Sequence, residues 1–344
     1  LVGAAMAEAG LKKVSRYATA TLLIGVNLPD IDAVASFWGE DTALLIRRGW
    51  SHGVLALVLL PLVLAGAVWL WHRWRARHSA DAPPLRIGMI ILLSFIAVWS
   101  HPLLDWLNTY GVRLLMPFDG RWFYGDTLFI VDPWLWLLAA AGVVLARTYR
   151  AASIFAWVLL GAFSSWVILA TSLATPLIKV CWVAGISAIV MVRWQRPSLR
   201  FREGFARASF ACVVLYMCTA YGLARVAEAN LQARYAEPLE IQANPVPGQP
   251  TAHRLVMVYD DFYRIVQADG SVIEVPRQTP DAVVEAALAA EDIRGFVNWM
   301  RYPYWEVEDA GNHWRVTIRD LRYVDPGDEP RGIGQVAVDV PKRL

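Results

Sequence analysis

The sequence predicts a mainly α-helical, polytopic membrane protein that ends in a small soluble α+β domain. Of its 344 residues, 57% are hydrophobic and only 18% charged, with 17 tryptophans, so the chain is far more apolar than a soluble domain of this length requires. The apolar residues gather in uncharged runs long enough to cross a bilayer, among them Ala151–Ile178, which carries no charge at all. The formal net charge of +2 hides a division: residues 1–234 hold 21 Lys and Arg against 12 Asp and Glu, whereas residues 235–344 hold 11 against 18. A basic membrane part and an acidic soluble part follow.

Residues 1–10 and 17–28 are two short apolar helical segments separated by Lys12, Lys13 and Arg16. Ten to twelve residues cover about 15–18 Å, too little for a hydrocarbon core of roughly 30 Å. A re-entrant or interfacial hairpin is expected, with a single longer span as the alternative. The opening Leu1-Val2-Gly3-Ala4-Ala5-Met6-Ala7 reads as a helix already under way, not as a signal peptide with a basic n-region, and further chain is expected upstream.

Gly53–Trp71 is the first clear span and ends in the basic, aromatic His72-Arg73-Trp74-Arg75-Ala76-Arg77. Asp81-Ala82-Pro83-Pro84 is a turn, and Ile87–Asn108 is the second span. Thr109–Val131 holds Gly111, Pro117, Gly120 and Gly125 and reads as a loop. Pro133–Ala146 is the third span. Two more lie between Ala151 and Arg193, broken near Pro176, and Ala208–Ala224 is the sixth. Arginine clusters fall in the loops after spans one, three and five, which parity puts on one side. The positive-inside rule makes that side cytoplasmic and the other ends external.

Beyond Tyr235 the composition is that of a soluble domain. Ala243-Asn244-Pro245-Val246-Pro247-Gly248-Gln249-Pro250 reads as a linker or turn. Strand-like alternation marks Leu255–Tyr259, Phe262–Gln267, Ser271–Val275, His313–Ile318 and Gln335–Val340, with Asp269-Gly270 a hairpin turn. Thr279-Pro280-Asp281 starts a helix expected to run to about Phe296. The domains are thus 1–147, a helical module with the short hairpin, 148–234, further transmembrane helices, and 235–344, an external α+β domain. Cys181, Cys212 and Cys218 fall inside apolar runs and read as small buried hydrophobes.

The chemistry gathers at the external helix ends. His101 and Asp105, four residues apart on one helix face, can reach a single ion. An ionisable group at membrane depth costs roughly 2.5–3.5 kcal/mol on insertion scales and is by default a functional-site candidate. Asp30 and Asp32, then Arg48 and His52, precede them, and Asp126 and Asp132 follow. Imidazole and carboxylate without cysteine suit Zn²⁺ or another borderline divalent ion such as Mn²⁺. More than one such ion would make a phosphoryl-hydrolysing site. The plainer readings are a helix cap for Asp30 or Asp32 and headgroup anchorage for Arg47 and Arg48. His72, His78, His253 and His313 read as surface residues.

Leu28-Pro29-Asp30-Ile31-Asp32, Arg48-Gly49-Trp50-Ser51-His52, and His101-Pro102-Leu103-Leu104-Asp105 with Tyr110-Gly111 and Pro117 behind it match in order and spacing the pattern of a known family. Over about residues 1–145 the chain resembles the YdjM-like membrane-bound metal-dependent hydrolases. That family is similar in ligand order to the zinc-dependent phospholipase C and P1 nuclease group, α-helical phosphodiesterases with a clustered zinc site. The resemblance implies that His52, His101 and Asp105 hold one ion, with Asp30 or Asp32 as ligand or general base. It also implies a ligand upstream of Leu1, in a Thr-His pair. The later histidine pair of the phosphodiesterases has no counterpart, and Asp126 and Asp132 are the candidates to replace it.

The function expected is that of an inner-membrane metal-dependent hydrolase acting through a metal-activated water on a phosphoester of a lipid or lipid-linked substrate, with Asp30, Asp32 and Arg48 as catalytic residues. No nucleic-acid partner is expected. The alternative is a metal-stabilised scaffold whose C-terminal domain recruits a protein partner. A transporter would need inverted repeats or charges across spans three to six, which the sequence lacks.

Overall fold

A computed structural model describes residues 1–77, 85–171, 173–235, 238–328 and 334–342. His78 and the turn expected at 81–84 lie outside the described residues. The chain divides into two units. The first comprises Leu1–Ile31, Arg48–Leu223 and Pro245–Thr251, and the second Asp32–Arg47, Ala224–Asn244 and Ala252–Leu344.

The first unit is helical. α1 (Val2–Glu8) and α2 (Ala18–Gly25) form the short hairpin expected from the sequence. α4 (Val54–Arg77) and α5 (Ile87–Leu107) are full-length apolar helices, as are α7 (Ala151–Ala170), α8 (Pro176–Trp194) and α9 (Leu199–Arg234). These five are long and apolar enough to cross a membrane. The third expected span is shorter: α6 (Pro133–Arg147) has 15 residues, or about 22 Å of helix. α6 nonetheless matches α8 in direction. Pro133 and Ile178 meet the same turn at Gly248, while at the other ends Arg193 Nε donates to Thr148 Oγ1 at 2.8 Å. α9 is twice the length anticipated, because its polar flanks continue the helix on both sides of the apolar segment.

Small residues let the hairpin pack tightly. Met6, Ala7, Ala18 and Leu22 are buried with Leu93 and Ala97 of α5, while Leu64, Ala65 and Val68 of α4 enclose Ile90. Ala4 and Ala5 meet Val143 of α6. Pro176 stands at the first position of α8, where its missing N–H costs nothing, and the Thr175 hydroxyl caps that end. None of the cysteines is buried: Cys181 is half-buried, and Cys212 and Cys218 are exposed on α9. An outward face is apolar in a helix that meets lipid, which corrects the expectation of buried packing.

In the second unit β1 (Glu240–Val246), β2 (Gln249–Val258), β3 (Phe262–Val266) and β4 (Val272–Pro276) form one sheet in sequence order. β5 (Pro303–Asp309), β6 (His313–Asp320) and β7 (Gln335–Pro341) form another. Val256, Val258, Tyr263, Ile265 and Val275 bury against Tyr302 and Leu321. The stretch read as a linker is the tip of the β1–β2 hairpin, with Gly248 at φ +70 in its turn. That tip, Pro245–Thr251, belongs to the first unit, where Trp134 Nε1 donates to the Gly248 carbonyl at 2.8 Å.

The helix expected from Asp281 to Phe296 is two, α10 (Ala282–Leu288) and α11 (Arg294–Trp299), joined by a 3-10 turn. α3 (Glu40–Ile46) packs on α11, whose first N–H groups, those of Gly295 and Phe296, donate to Asp41 Oδ1 at 2.6 and 3.1 Å. His253 corrects another expectation. It is buried on β2, where burial and the nearby Arg225 push its imidazole below the usual range.

Candidate metal centre

Four segments of the first unit converge. α2 ends at Gly25, and two residues beyond Asn27 a 3-10 turn (Pro29–Trp38) begins with Asp30 near its start. Asp30 is the last acidic residue before the chain enters the second unit at Asp32, and Arg48 is the first residue after it returns. Arg48 adopts φ +54, a left-handed conformation that a non-glycine residue holds only where its surroundings enforce it. Its carbonyl accepts from the Arg113 N–H at 2.8 Å, which ties it to the loop after α5. The chain then turns tightly, with Gly53 N donating to Gly49 O at 2.8 Å, and delivers His52 to the head of α4. Gly53 is required there by close approach, since a Cβ would stand 2.2 Å from the Met116 carbonyl oxygen.

His101 and Asp105 occupy successive turns near the end of α5. The Asp105 carboxylate is the hub. Its Oδ2 lies 3.1 Å from His52 Nε2 and 3.5 Å from His101 Nε2, and its Oδ1 lies 3.1 Å from an Arg48 guanidinium nitrogen. Asp30 Oδ2 is 3.6 Å from His101 Nε2. One ligand atom each from Asp30, His52 and His101 lies within 4.8 Å of the others. Asp105, within 3.5 Å of both imidazoles, is the fourth member of the set.

Those separations distinguish two kinds of contact. Two ligands of a tetrahedral zinc at bond lengths of about 2.0–2.1 Å stand about 3.3–3.4 Å apart. An N–H···O hydrogen bond closes to roughly 2.7–3.2 Å. Both contacts of His101, at 3.5 and 3.6 Å, are too long for hydrogen bonds and suit ligands that share an ion. The ring orientation agrees. His101 Nδ1 lies 2.7 Å from the Val26 carbonyl, which can only accept, so that nitrogen carries a proton and the ring turns its Nε2 toward the two carboxylates. A backbone carbonyl orienting a ligand histidine is also the usual outer support of a metal site. The residues therefore fit a divalent ion.

Arg48 is locked from several sides. It donates to Asn108 Oδ1 at 2.9 Å and to the Gly111 carbonyl at 3.1 Å, and stacks on Tyr110 at 4.4 Å. The Ser51 hydroxyl lies 3.0 Å from His52 Nδ1. Asn108, Ser51 and the Val26 carbonyl are absent from the sequence reading. Asn108 follows the last residue of α5 and is already extended, so helical spacing does not place it, and a backbone carbonyl leaves no sequence signal.

The remaining expected ligands, Asp32, Asp126 and Asp132, are buried on other segments. Asp32 is buried in the 3-10 turn and falls in the second unit. Asp126 is buried in the loop at φ +45, between Gly125 and Thr127, whose N–H groups bond to the carbonyls of Trp106 and Leu107. Asp132 caps α6 instead. Its Oδ1 accepts from Leu135 N at 2.8 Å and its Oδ2 from the Tyr216 hydroxyl at 2.7 Å, so both oxygens are engaged. Burial raises its carboxyl above the ordinary carboxylate range despite these bonds.

A sequence profile of the YdjM inner membrane protein family matches residues 1–174, the span that holds all four clustered residues and Arg48. The chain is also similar to an uncharacterized protein, YfhP, of Bacillus subtilis (strain 168), at 20% identity over 308 residues, covering 90% of this chain and 78% of that protein. No solved structure matches. Five apolar helices of spanning length and the match over half the chain agree: this is an integral membrane protein and a member of the YdjM inner membrane protein family.

Proposed function

We propose that the protein is a membrane-bound metal-dependent hydrolase that cleaves a phosphoester of a membrane-resident substrate. The observation that carries this reading is the set of His101 contacts, spaced for shared ligation and too long for hydrogen bonds, beside a fixed guanidinium. Asp30, His52, His101 and Asp105 would hold a divalent ion, Zn²⁺ or Mn²⁺. Such an ion polarises a phosphoryl oxygen and lowers the pKa of a coordinated water.

The chain's own groups do the rest. Arg48, held by Asn108, Gly111 and Tyr110, presents a planar fork suited to a phosphoryl group and offsets its charge as it grows in the transition state. Asp30 is 42% exposed at the side chain, against 12% for Asp105, which suits it to take the proton of the attacking water. Asp105, paired with Arg48, keeps both imidazoles aligned. The wider likeness to phospholipase C and P1 nuclease is an expectation of the same reading.

The test is hydrolysis of a soluble phosphodiester reporter by zinc- or manganese-loaded protein. Activity is expected, and it should be lost in Asp30→Asn and His101→Ala. Hydrolysis of peptides instead, or no activity in protein that carries its metal, would overturn the reading. From the arginine-rich loops we infer that the site and the acidic C-terminal domain lie on the external face. In a cysteine-free background, Gly120→Cys and Gly270→Cys should react with an impermeant thiol reagent in intact cells, and Arg196→Cys should not. The reverse pattern would make the substrate cytoplasmic.

A further inference from the structure

A large cavity reaches Arg48, Asp105 and Asn108 at the edge of the candidate metal centre and runs down the first unit between α5, α6, α7 and α8. At about 1110 Å³ it exceeds the roughly 300–1,000 Å³ that encloses a drug-sized ligand. Its upper end is polar and belongs to the site, through Arg48, Asp105 and Asn108. Below them the walls are almost wholly apolar, with Leu135, Gly161, Trp182 and Ile186 facing the space. Polar groups in the wall are already paired, as where the Trp182 indole donates to Ser165 Oγ at 3.1 Å. Arg193, bonded to Thr148, closes the foot.

The length of this groove selects its occupant. Along α6 it extends from Leu135 to Thr148, about 20 Å at 1.5 Å per residue, so it runs nearly the whole of that helix. A long, narrow apolar slot headed by a guanidinium matches one fatty-acyl chain joined to an anionic phosphoryl headgroup.

We propose that the substrate is a phospholipid whose acyl chain lies in the α6–α7–α8 groove while its phosphate sits at Arg48 and the His52–His101–Asp105 cluster. This rests on the hydrolase reading for the chemistry but not for the binding, so the two can fail separately. α7 and α8, which line one side of the groove, are apolar on their exposed faces as well, so the groove lies among membrane-spanning helices. The same geometry explains why a metal centre is built at the end of membrane helices and not in a soluble domain: its substrate never has to be extracted.

The test uses a phosphatidylglycerol carrying a diazirine at the end of one acyl chain, photolysed on the full-length protein in nanodiscs, with the labelled residues mapped by mass spectrometry. Label is expected on groove residues such as Trp157 and Ile186. Gly161→Trp should reduce it about tenfold, equivalent to a tenfold loss of affinity. A Cβ at Gly161 meets no atom within 4 Å, so the indole can enter the groove without a backbone clash. Ile186→Trp is a second filling variant, and unchanged metal content in either verifies the fold. Leu159→Trp, on the exposed face of α7, should leave the label unchanged.

Label spread evenly over exposed positions such as Leu159 and Val183, or insensitive to both filling variants, overturns the proposal. Groove label that persists in His101→Ala supports it whatever the reporter assay shows, since binding of the chain does not require hydrolysis.

Discussion

Asp105 and Asp132 are both buried carboxylates near the ends of apolar helices, yet they do different work. Asp132 spends its oxygens on a backbone N–H of its own helix and on the Tyr216 hydroxyl. Asp105 faces two imidazoles and a guanidinium, one imidazole from its own helix and the other two groups from the Arg48–His52 segment. A carboxylate whose two oxygens are each saturated by one neutral donor is a structural element. One that gathers two imidazoles and a guanidinium, one imidazole at a spacing too long for hydrogen bonding, is a binding site. Burial alone does not tell them apart.

The contrast can be broken most severely at the hub. Asp105→Ala removes the group that both histidines and Arg48 face, so bound metal should fall by at least roughly 100-fold, the upper range for losing even a supporting partner. Metal titration of the purified protein measures this, and retention of wild-type affinity would reduce Asp105 to a structural pairing of Arg48.

Arg48→Lys keeps the charge but not the planar fork that reaches Asn108, Gly111 and Asp105 together. Reporter hydrolysis should drop about 10–100-fold while metal content holds, because a lysine acts only as a point charge. A drop in metal content of the same size would instead make Arg48 part of the ligand scaffold.

At Asp132 the account expects the reverse pattern. Asp132→Ala should leave metal binding and hydrolysis close to wild type and lower stability by about 1–2 kcal/mol, the usual cost of an N-cap. Tyr216→Phe should cost about 1 kcal/mol, as for one ordinary hydrogen bond. Thermal unfolding in detergent reports both. Metal loss in Asp132→Ala would erase the distinction between the two carboxylates.

Much of this was legible in residue order. The i, i+4 spacing of His101 and Asp105 placed both on one helix face, and the short apolar segments before Asn27 described the pair of short helices α1 and α2. Asp132 was misread as a ligand although Asp-Pro at a helix start carries its own signal: proline at the first helical position with an acidic cap before it. The β1–β2 hairpin was hidden because Pro245, Pro247 and Pro250 read as punctuation, while their place at a turn and strand ends is what proline tolerates. Asp30 and Asp32 could not be separated by sequence. Two residues along a 3-10 turn point in different directions, and the chain passes from one unit to the other between them. Nor could the Val26 carbonyl be anticipated, because its role depends only on where the backbone of α2 ends.

The central claim is that His52, His101, Asp105 and Asp30 enclose one divalent ion. Anomalous scattering at the zinc edge from crystals of the metal-loaded protein tests it most directly, with Asp132→Ala as the comparison. The account predicts a peak within about 2.0–2.2 Å of His101 Nε2 and His52 Nε2, present in the wild type and in Asp132→Ala and absent in His101→Ala. No peak between the two imidazoles in fully loaded protein, or one that survives His101→Ala, would contradict it.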